Sequence, residues 1–430
     1  MNSSPGSSMD LRDRPLSEVD TPAAWRRLGL AVAVSTLGSV GMGSMPVALP
    51  FVQADFGITR AEVSLPFALA MTGFALGGVA MGRLCDSFGL VVAIMLGSLA
   101  LGIGYVGASL APTPLTFALM HLLIGVGASA TFGPLMADMS QWFVRHRGIG
   151  ISMAASGNYI GGVLWPPVLQ HAMATGGWRH TYLGVGMFCA LATLPFIFAL
   201  RRAHPIARML EAASNGSPRS LGVSPNVLMV LLCVAGLACC VAMAMPQVHI
   251  VAYCGDLGYG PARGAEMLSA MLGFGILSRI GSGLIADRLG GAPTLLIGSV
   301  LQGIALFLYL VFDGLVSLYI ISALFGLFQG GIVPMYAIIV REYFSPKEVG
   351  IRIGIVLMAT LFGMALGGWM SGIIFDYTGS YRAAFLNGLI WNVVNAVIVV
   401  WLLLRSTPRL AAASVVVIRQ LGSLVMIGPR

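Results

Sequence analysis

The chain has 430 residues, of which 57% are hydrophobic and only 9% charged, with a net charge of +8 and a mean hydropathy of +0.89. A water-soluble domain carries roughly 25% charged residues, so this chain cannot clothe a soluble surface. Its cations are also too dispersed for a nucleic-acid-binding domain, which leaves an integral membrane protein.

Residues 1–26 are rich in Ser, Pro and Asp and lack the apolar core of a signal peptide, so they are expected to form a disordered cytoplasmic tail. From there, apolar runs long enough to cross a ~30 Å hydrocarbon layer as helices follow one another. By length they fall near Leu28–Pro50, Ala61–Met81, Leu90–Leu110, Leu115–Met139, Gly148–Ala172 and Tyr182–Leu200. After a polar stretch they resume near Val227–Val251, Ala265–Ile285, Thr294–Val311, Leu315–Val340, Ile353–Phe375 and Ala383–Leu404. The spacing predicts an all-α membrane protein with twelve spans. A six-helix bundle over 27–200 is followed by a linker over 201–225, a second six-helix bundle over 226–405 and a cytoplasmic tail over 406–430. That last tail holds Ser414–Ile418 and Leu421–Ile427, apolar pieces too short to span. The alternating segments of a β-barrel are absent.

Between spans 2 and 3 stands Gly82-Arg83-Leu84-Cys85-Asp86-Ser87-Phe88-Gly89. Between spans 8 and 9 stands a second copy, Gly283-Leu284-Ile285-Ala286-Asp287-Arg288-Leu289-Gly290. Two copies at half-chain distance mark two similar halves. Of the 24 Lys and Arg, four (Arg60, Arg179, Arg263 and Arg382) fall on one side of the spans. Arg279 falls inside a span and the rest lie on the other side. That bias puts both termini and both motif copies in the cytoplasm of a cell membrane. The six cysteines show no metal-ligand spacing and read as small buried hydrophobes. No metal or other cofactor is expected.

Gly82, Asp86 and Gly89, with Gly283, Asp287, Arg288 and Gly290, resemble the signature loop of the major facilitator superfamily. The resemblance implies two six-helix bundles that face each other across a central cavity and rock to open it to alternate sides. Gln141-Trp142-Phe143-Val144-Arg145-His146-Arg147-Gly148, continuing through span 5 to Trp165-Pro166-Pro167 and Gly177-Trp178-Arg179, is similar to one branch of it. That branch holds the monocarboxylate transporters and the oxalate–formate antiporters. The entry to span 2, Asp55-Phe56-Gly57-Ile58-Thr59-Arg60-Ala61-Glu62, resembles the same branch.

Arg279 carries the chemistry. It lies about eight residues above the motif loop, so about 12 Å into the membrane at 1.5 Å per residue. An arginine there costs roughly 2.5–3.5 kcal/mol on insertion scales and should face a cavity or a partner. No acid on its own helix is in reach, and Gly275, Ser278, Ser282 and Gly283 leave small volumes for a ligand carboxylate. The alternative is snorkelling, or an acid on another helix such as Asp138. In the resembling family an arginine of span 8 holds the substrate carboxylate, and Arg279 stands in its place.

Other polar residues inside spans are candidates for the same cavity. Asn158, Tyr159, His249, Gln329 and Tyr336 could each hydrogen-bond a substrate, or bridge packed helices instead. His121 is a titratable group in span 4 and a candidate proton site, with a hydrogen-bonded interface histidine as the alternative. Arg83, Asp86, Asp138, Asp287 and Arg288 are expected to form a cytoplasmic gate, with Asp138 partnering Arg83 or the loop helix. Two features depart from the resembling family. Gly275 stands where animal monocarboxylate transporters carry an acid, and no span holds a lysine. One cation favours a monoanion.

These residues point to a secondary transporter of a small monocarboxylate, linked to a proton. The alternative is an efflux or organic-solute antiporter of the same fold. An enzyme is not expected: no nucleophile–base cluster and no phosphate-binding loop ending in Lys-Ser or Lys-Thr is present. The expected partners are a small organic anion, the lipid bilayer and a proton, with a monomer sufficient.

Overall fold

The computed structural model describes residues 20–143, 146–200, 222–345 and 348–425, with main chain alone at 147, 148 and 406–425. The N-terminal tail over 1–19 and most of the expected linker, 201–221, lie outside the described residues. The described residues form helices and no strand. Six rods make the first half: span 1 (Pro22–Phe56), span 2 (Arg60–Phe88), span 3 (Leu90–Ser109), span 4 (Pro114–Trp142), span 5 (Arg147–Gly176) and span 6 (Trp178–Leu200). Six make the second: span 7 (Pro225–Asp256), span 8 (Pro261–Leu289), span 9 (Gly291–Val311), span 10 (Leu315–Tyr343), span 11 (Val349–Thr378) and span 12 (Tyr381–Val425). All but span 5 are both long and apolar enough to cross a membrane. Span 5 is long enough, but Asn158, Gln170, His171 and two prolines dilute its apolar surface. Span 12 runs past the expected end at Arg405 to Val425, so most of the expected tail is helix.

Local sequence explains the rod ends. Pro22, Pro114, Pro225 and Pro261 sit in first turns, where a missing N–H costs nothing. Thr59 and Glu62 close a capping box at the start of span 2. In the repeated motif the second glycine is the one the backbone requires. Gly89 has φ +87° and Gly290 φ +89°, where a side chain is strained, and each turns one span directly into the next.

The halves also repeat in their breaks. Span 4 is interrupted at 130–132 and span 10 at 330–331, again about 200 residues apart. Each break is pressed against a neighbouring rod. A Cβ at Gly38 of span 1 would lie 2.0 Å from Thr131 Oγ1, and one at Gly330 would lie 2.4 Å from the Gly275 carbonyl oxygen of span 8.

The apolar core shows how the halves meet. On the face away from the motif loops one continuous cluster runs from Val63, Phe67 and Met71 of the first half to Val248, Met271 and Phe385 of the second. On the motif face the core divides into two separate clusters. One, around Leu28, Leu135 and Trp142, belongs to the first half; the other, around Leu232, Tyr336 and Val356, belongs to the second. The halves are therefore packed together at the opposite face and apart at the motif face. Spans 2 and 11, 5 and 8, and 1 and 7 form the seam.

Candidate functional site

Arg279 is half-buried on span 8, and its guanidinium carbon lies 4.3 Å from the ring centroid of Tyr159 in span 5, across the seam. The stack depends on Gly275 one turn earlier, where a Cβ would stand 2.4 Å from Tyr159 Cε1. An acid at that position, as in the resembling transporters, would occupy the place the ring takes. Arg279 Nε is buried and makes no hydrogen bond, and among the described residues no carboxylate pairs with the guanidinium. A permanently charged group with a buried donor left over is costly unless a ligand or water meets it. The sequence alternative of an Arg279–Asp138 pair does not occur, because Asp138 is held by Arg27 at 2.7 and 3.0 Å.

The small residues near Arg279 are less open than expected. Tyr159 and Gly330 fill the space at Gly275, and Ser278 Oγ accepts the Gly331 N–H at 3.0 Å. Ser282 Oγ donates to the Arg279 carbonyl at 3.2 Å and packs on Gly331. Gly283 alone of the four faces open space. These residues fasten the break of span 10 to span 8 and thereby position the turn that carries Arg279.

Gln247 Nε2 donates to Gln329 Oε1 at 2.8 Å, joining span 7 to span 10. Gln329 Nε2 is left buried without a partner. Arg279 Nε and Gln329 Nε2, both buried without a partner, are both donors. Asn158 is half-buried, and its Oδ1 accepts from Ser35 Oγ at 3.2 Å, tying span 5 to span 1.

Three candidates have their polar atoms engaged by neighbouring residues. Tyr336 is fully buried, and its hydroxyl donates to Asn395 Oδ1 at 2.9 Å inside the second bundle. His249 is buried with both ring nitrogens in use, Nε2 donating to the Gly368 carbonyl at 2.8 Å and Nδ1 meeting the Tyr381 hydroxyl at 3.0 Å. Neither has a donor left over for an anion. His121 is likewise fully buried, its Nδ1 donating to the Phe117 carbonyl at 2.9 Å and its Nε2 facing the Tyr182 hydroxyl at 3.2 Å. Phe117 and Tyr182 pack against it, and Trp178 packs on both of those rings. A ring enclosed in this way, with both nitrogens engaged, matches the interface-histidine alternative.

At the motif face, Arg83, Asp86, Asp287 and Arg288 are exposed and make no ion pair among the described residues. Asp138 is buried, and its partner is Arg27 instead of the expected Arg83. Arg27 also donates to the Leu200 carbonyl at 3.2 Å and lies over Trp142 at 4.8 Å, so it ties span 1 to spans 4 and 6. In sequence, Arg27 and Arg60 are indistinguishable from loop cations at the ends of apolar runs. Both are buried and paired. The Thr59–Glu62 capping box was the available sign that Arg60 starts a helix instead of ending a loop.

The family model of the Major Facilitator Superfamily matches residues 30–315 and 256–417. Monocarboxylate transporter 13 of Bos taurus is 28% identical over 344 residues, covering 77% of this chain and 78% of its own. The agnestins efflux protein of Paecilomyces divaricatus is 24% identical over 313 residues, covering 72% and 70%. A bacterial homolog of the human lysosomal transporter Spinster, solved in an inward-facing and occupied conformation, superposes with a TM-score of 0.68 at 14% identity. That superposition covers 92% of this chain and 97% of that one.

Proposed function

The chain belongs to the major facilitator superfamily, and from that premise we propose that it moves a small monocarboxylate across the membrane by alternating access, together with a proton. The observation that carries this reading is Arg279: a cation at the seam of the two halves, with no carboxylate partner among the described residues and a buried donor unused. An arginine so placed suits a carboxylate that arrives and leaves. Tyr159 holds the guanidinium plane from one side, and Gln329 Nε2 offers a second donor. A site whose spare groups are donors suits an acceptor-rich anion, and a single guanidinium suits a monoanion. Asn158 contributes by holding span 5 against span 1. The similarity to a monocarboxylate transporter over 77% of the chain points the same way. Proton linkage is supported by that likeness alone, since His121 and His249 are both committed to the fold.

In this reading the motif face is cytoplasmic, as the cation bias suggests. The exposed Arg83, Asp86, Asp287 and Arg288 are gate charges that find partners when that face closes. Arg27 and Asp138 brace the first bundle while it rocks. A second reading, an efflux or organic-solute antiporter, is favoured by the likeness to a fungal efflux protein. Counterflow in proteoliposomes with labelled lactate, pyruvate and formate at two pH values separates the two. Saturable exchange of at least one monocarboxylate, with half-saturation raised about 10- to 100-fold by Arg279→Gln, is the expected result. Exchange of a cationic or neutral solute alone would select the second reading, and exchange indifferent to pH would remove the proton.

A further inference from the structure

The face opposite the motif loops is closed by more than apolar packing. Arg60, at the first turn of span 2, is 7% exposed and places Nη2 3.0 Å from each oxygen of Asp256, at the end of span 7. Its guanidinium lies 4.8 Å from the Phe375 ring and 5.9 Å from the Tyr381 ring, both in the second half. The main chain of the same turn is held too. Asp376, near the end of span 11, accepts the Arg60 N–H at 2.8 Å and the Ala61 N–H at 2.7 Å.

The first turn of a helix leaves its N–H groups without partners in the helix. Here Thr59 and Glu62 satisfy one another's, and the two between them are satisfied by a carboxylate from the other half of the molecule. A carboxylate at a helix N-terminus is favoured by the dipole as well as by the hydrogen bonds. Small residues allow the approach: a Cβ at Gly372 would lie 2.7 Å from the Arg60 carbonyl oxygen, and one at Gly368 would lie 2.9 Å from Phe67 Cδ1. His249 backs the clasp by bridging the Gly368 carbonyl and the Tyr381 hydroxyl. Among the described residues, the hydrogen bonds that join the two halves all run through this turn of span 2.

We propose that Arg60, Asp256 and Asp376 form the gate of the opposite face, opened and remade once per transport cycle, with Asp376 acting as a helix cap supplied across the two halves. Opening this face must separate span 2 from spans 7 and 11. That motion breaks the Arg60–Asp256 pair and uncaps span 2 in one step. The gate is asymmetric: the motif-face charges are exposed in the same structure, so the clasp biases the protein toward the state open at the motif face. This inference depends on alternating access and not on the substrate being a monocarboxylate.

The test reads opening directly and needs no substrate. Ser64 is fully buried beneath the clasp, 2.9 Å from a Cβ built at Gly372. The S64C chain is reconstituted in proteoliposomes, and its reaction with a membrane-impermeant maleimide is timed against the unsubstituted chain, whose Cys189, Cys239, Cys240 and Cys254 are buried and whose half-buried Cys85 and Cys233 set the background rate. D256A and D376A are each expected to speed labelling from the opposite face by about 10- to 100-fold, the range set by losing charge-assisted hydrogen bonds. D376N, which keeps a capping oxygen, should speed it less than D376A. Labelling within about twofold of the parent in D256A and D376A would overturn the gate. Where an alanine variant fails to insert, D376N carries the same decision, and parental labelling there overturns it. Monocarboxylate exchange that fails in the parent chain while these labelling rates rise would sink the substrate reading and leave the gate standing.

Discussion

Replacing Gly275 by alanine perturbs the Arg279 site without touching its charge. The added methyl carbon would lie 2.4 Å from Tyr159 Cε1 and 2.9 Å from Cδ1. Carbon atoms settle at about 3.5–4.0 Å, so the ring must retreat by about 1.1 Å or more. It cannot do so while keeping its centroid 4.3 Å from the guanidinium carbon, and the stack is lost or tilted. A cation–π contact is worth about 0.5–2 kcal/mol, and about 1.4 kcal/mol is tenfold in affinity. Half-saturation for the exchanged anion should therefore rise roughly 2- to 30-fold in Gly275→Ala. Overpacking adds about 1–3 kcal/mol of destabilisation, read separately from thermal unfolding in detergent. The steric cause is isolated by a double-mutant cycle. Tyr159→Leu alone should weaken half-saturation to a similar degree, and Gly275→Ala added to Tyr159→Leu should cost little more. Wild-type half-saturation in Gly275→Ala, or fully additive losses in the double variant, would refute the idea that Tyr159 orients Arg279.

Other outcomes follow from the same contacts. Tyr336→Phe removes the donor to Asn395 and should lower stability by about 1–3 kcal/mol in thermal or denaturant unfolding while leaving half-saturation unchanged; a specific loss of affinity would return Tyr336 to the substrate site. His121→Leu should also destabilise, by about 1–3 kcal/mol for the broken buried bonds, yet leave the shape of the pH–transport profile as in the parent. A displaced or flattened profile there would reinstate His121 as a proton site. Gly290→Ala places a side chain at φ +89° and should cost about 1–3 kcal/mol, seen as reduced yield of monodisperse protein, whereas Gly283→Ala, with open space around it, should be tolerated.

The architecture was legible because it rests on quantities a sequence carries openly. Apolar run length marked the rods, and the repeated motif marked the halves; even the glycine at φ +87° or +89° is visible as the last residue of each copy. Arg279 was legible for a related reason: a lone cation deep in an apolar run is expensive wherever it points. What could not be read was which polar atoms were already spent. His121, His249 and Tyr336 look like Gln329 in sequence, and only the fold shows three satisfied by neighbours from distant spans and one left with a free N–H. Gly275 read as a gap left by a missing acid, but it is the space into which Tyr159 packs. Arg27 and Arg60 look like loop cations in sequence because hydropathy averages over a window and does not see a single arginine reaching from one helix to a carboxylate on another. Partners such as Asp138, Asp256 and Asp376 lie about 110 to 320 residues away in sequence, and no local pattern announces them.

Arg279 is proposed here as an anion anchor left unpaired for a ligand. Binding of labelled monocarboxylate to purified protein in detergent, compared among the parent, Arg279→Lys and Arg279→Gln, tests it most directly. Charge-assisted hydrogen bonds of about 1.5–3 kcal/mol translate into about 10- to 100-fold weaker binding in Arg279→Gln. Arg279→Lys keeps the charge but not the planar fork and should fall between the two. Parental affinity in a folded Arg279→Gln protein would contradict the account.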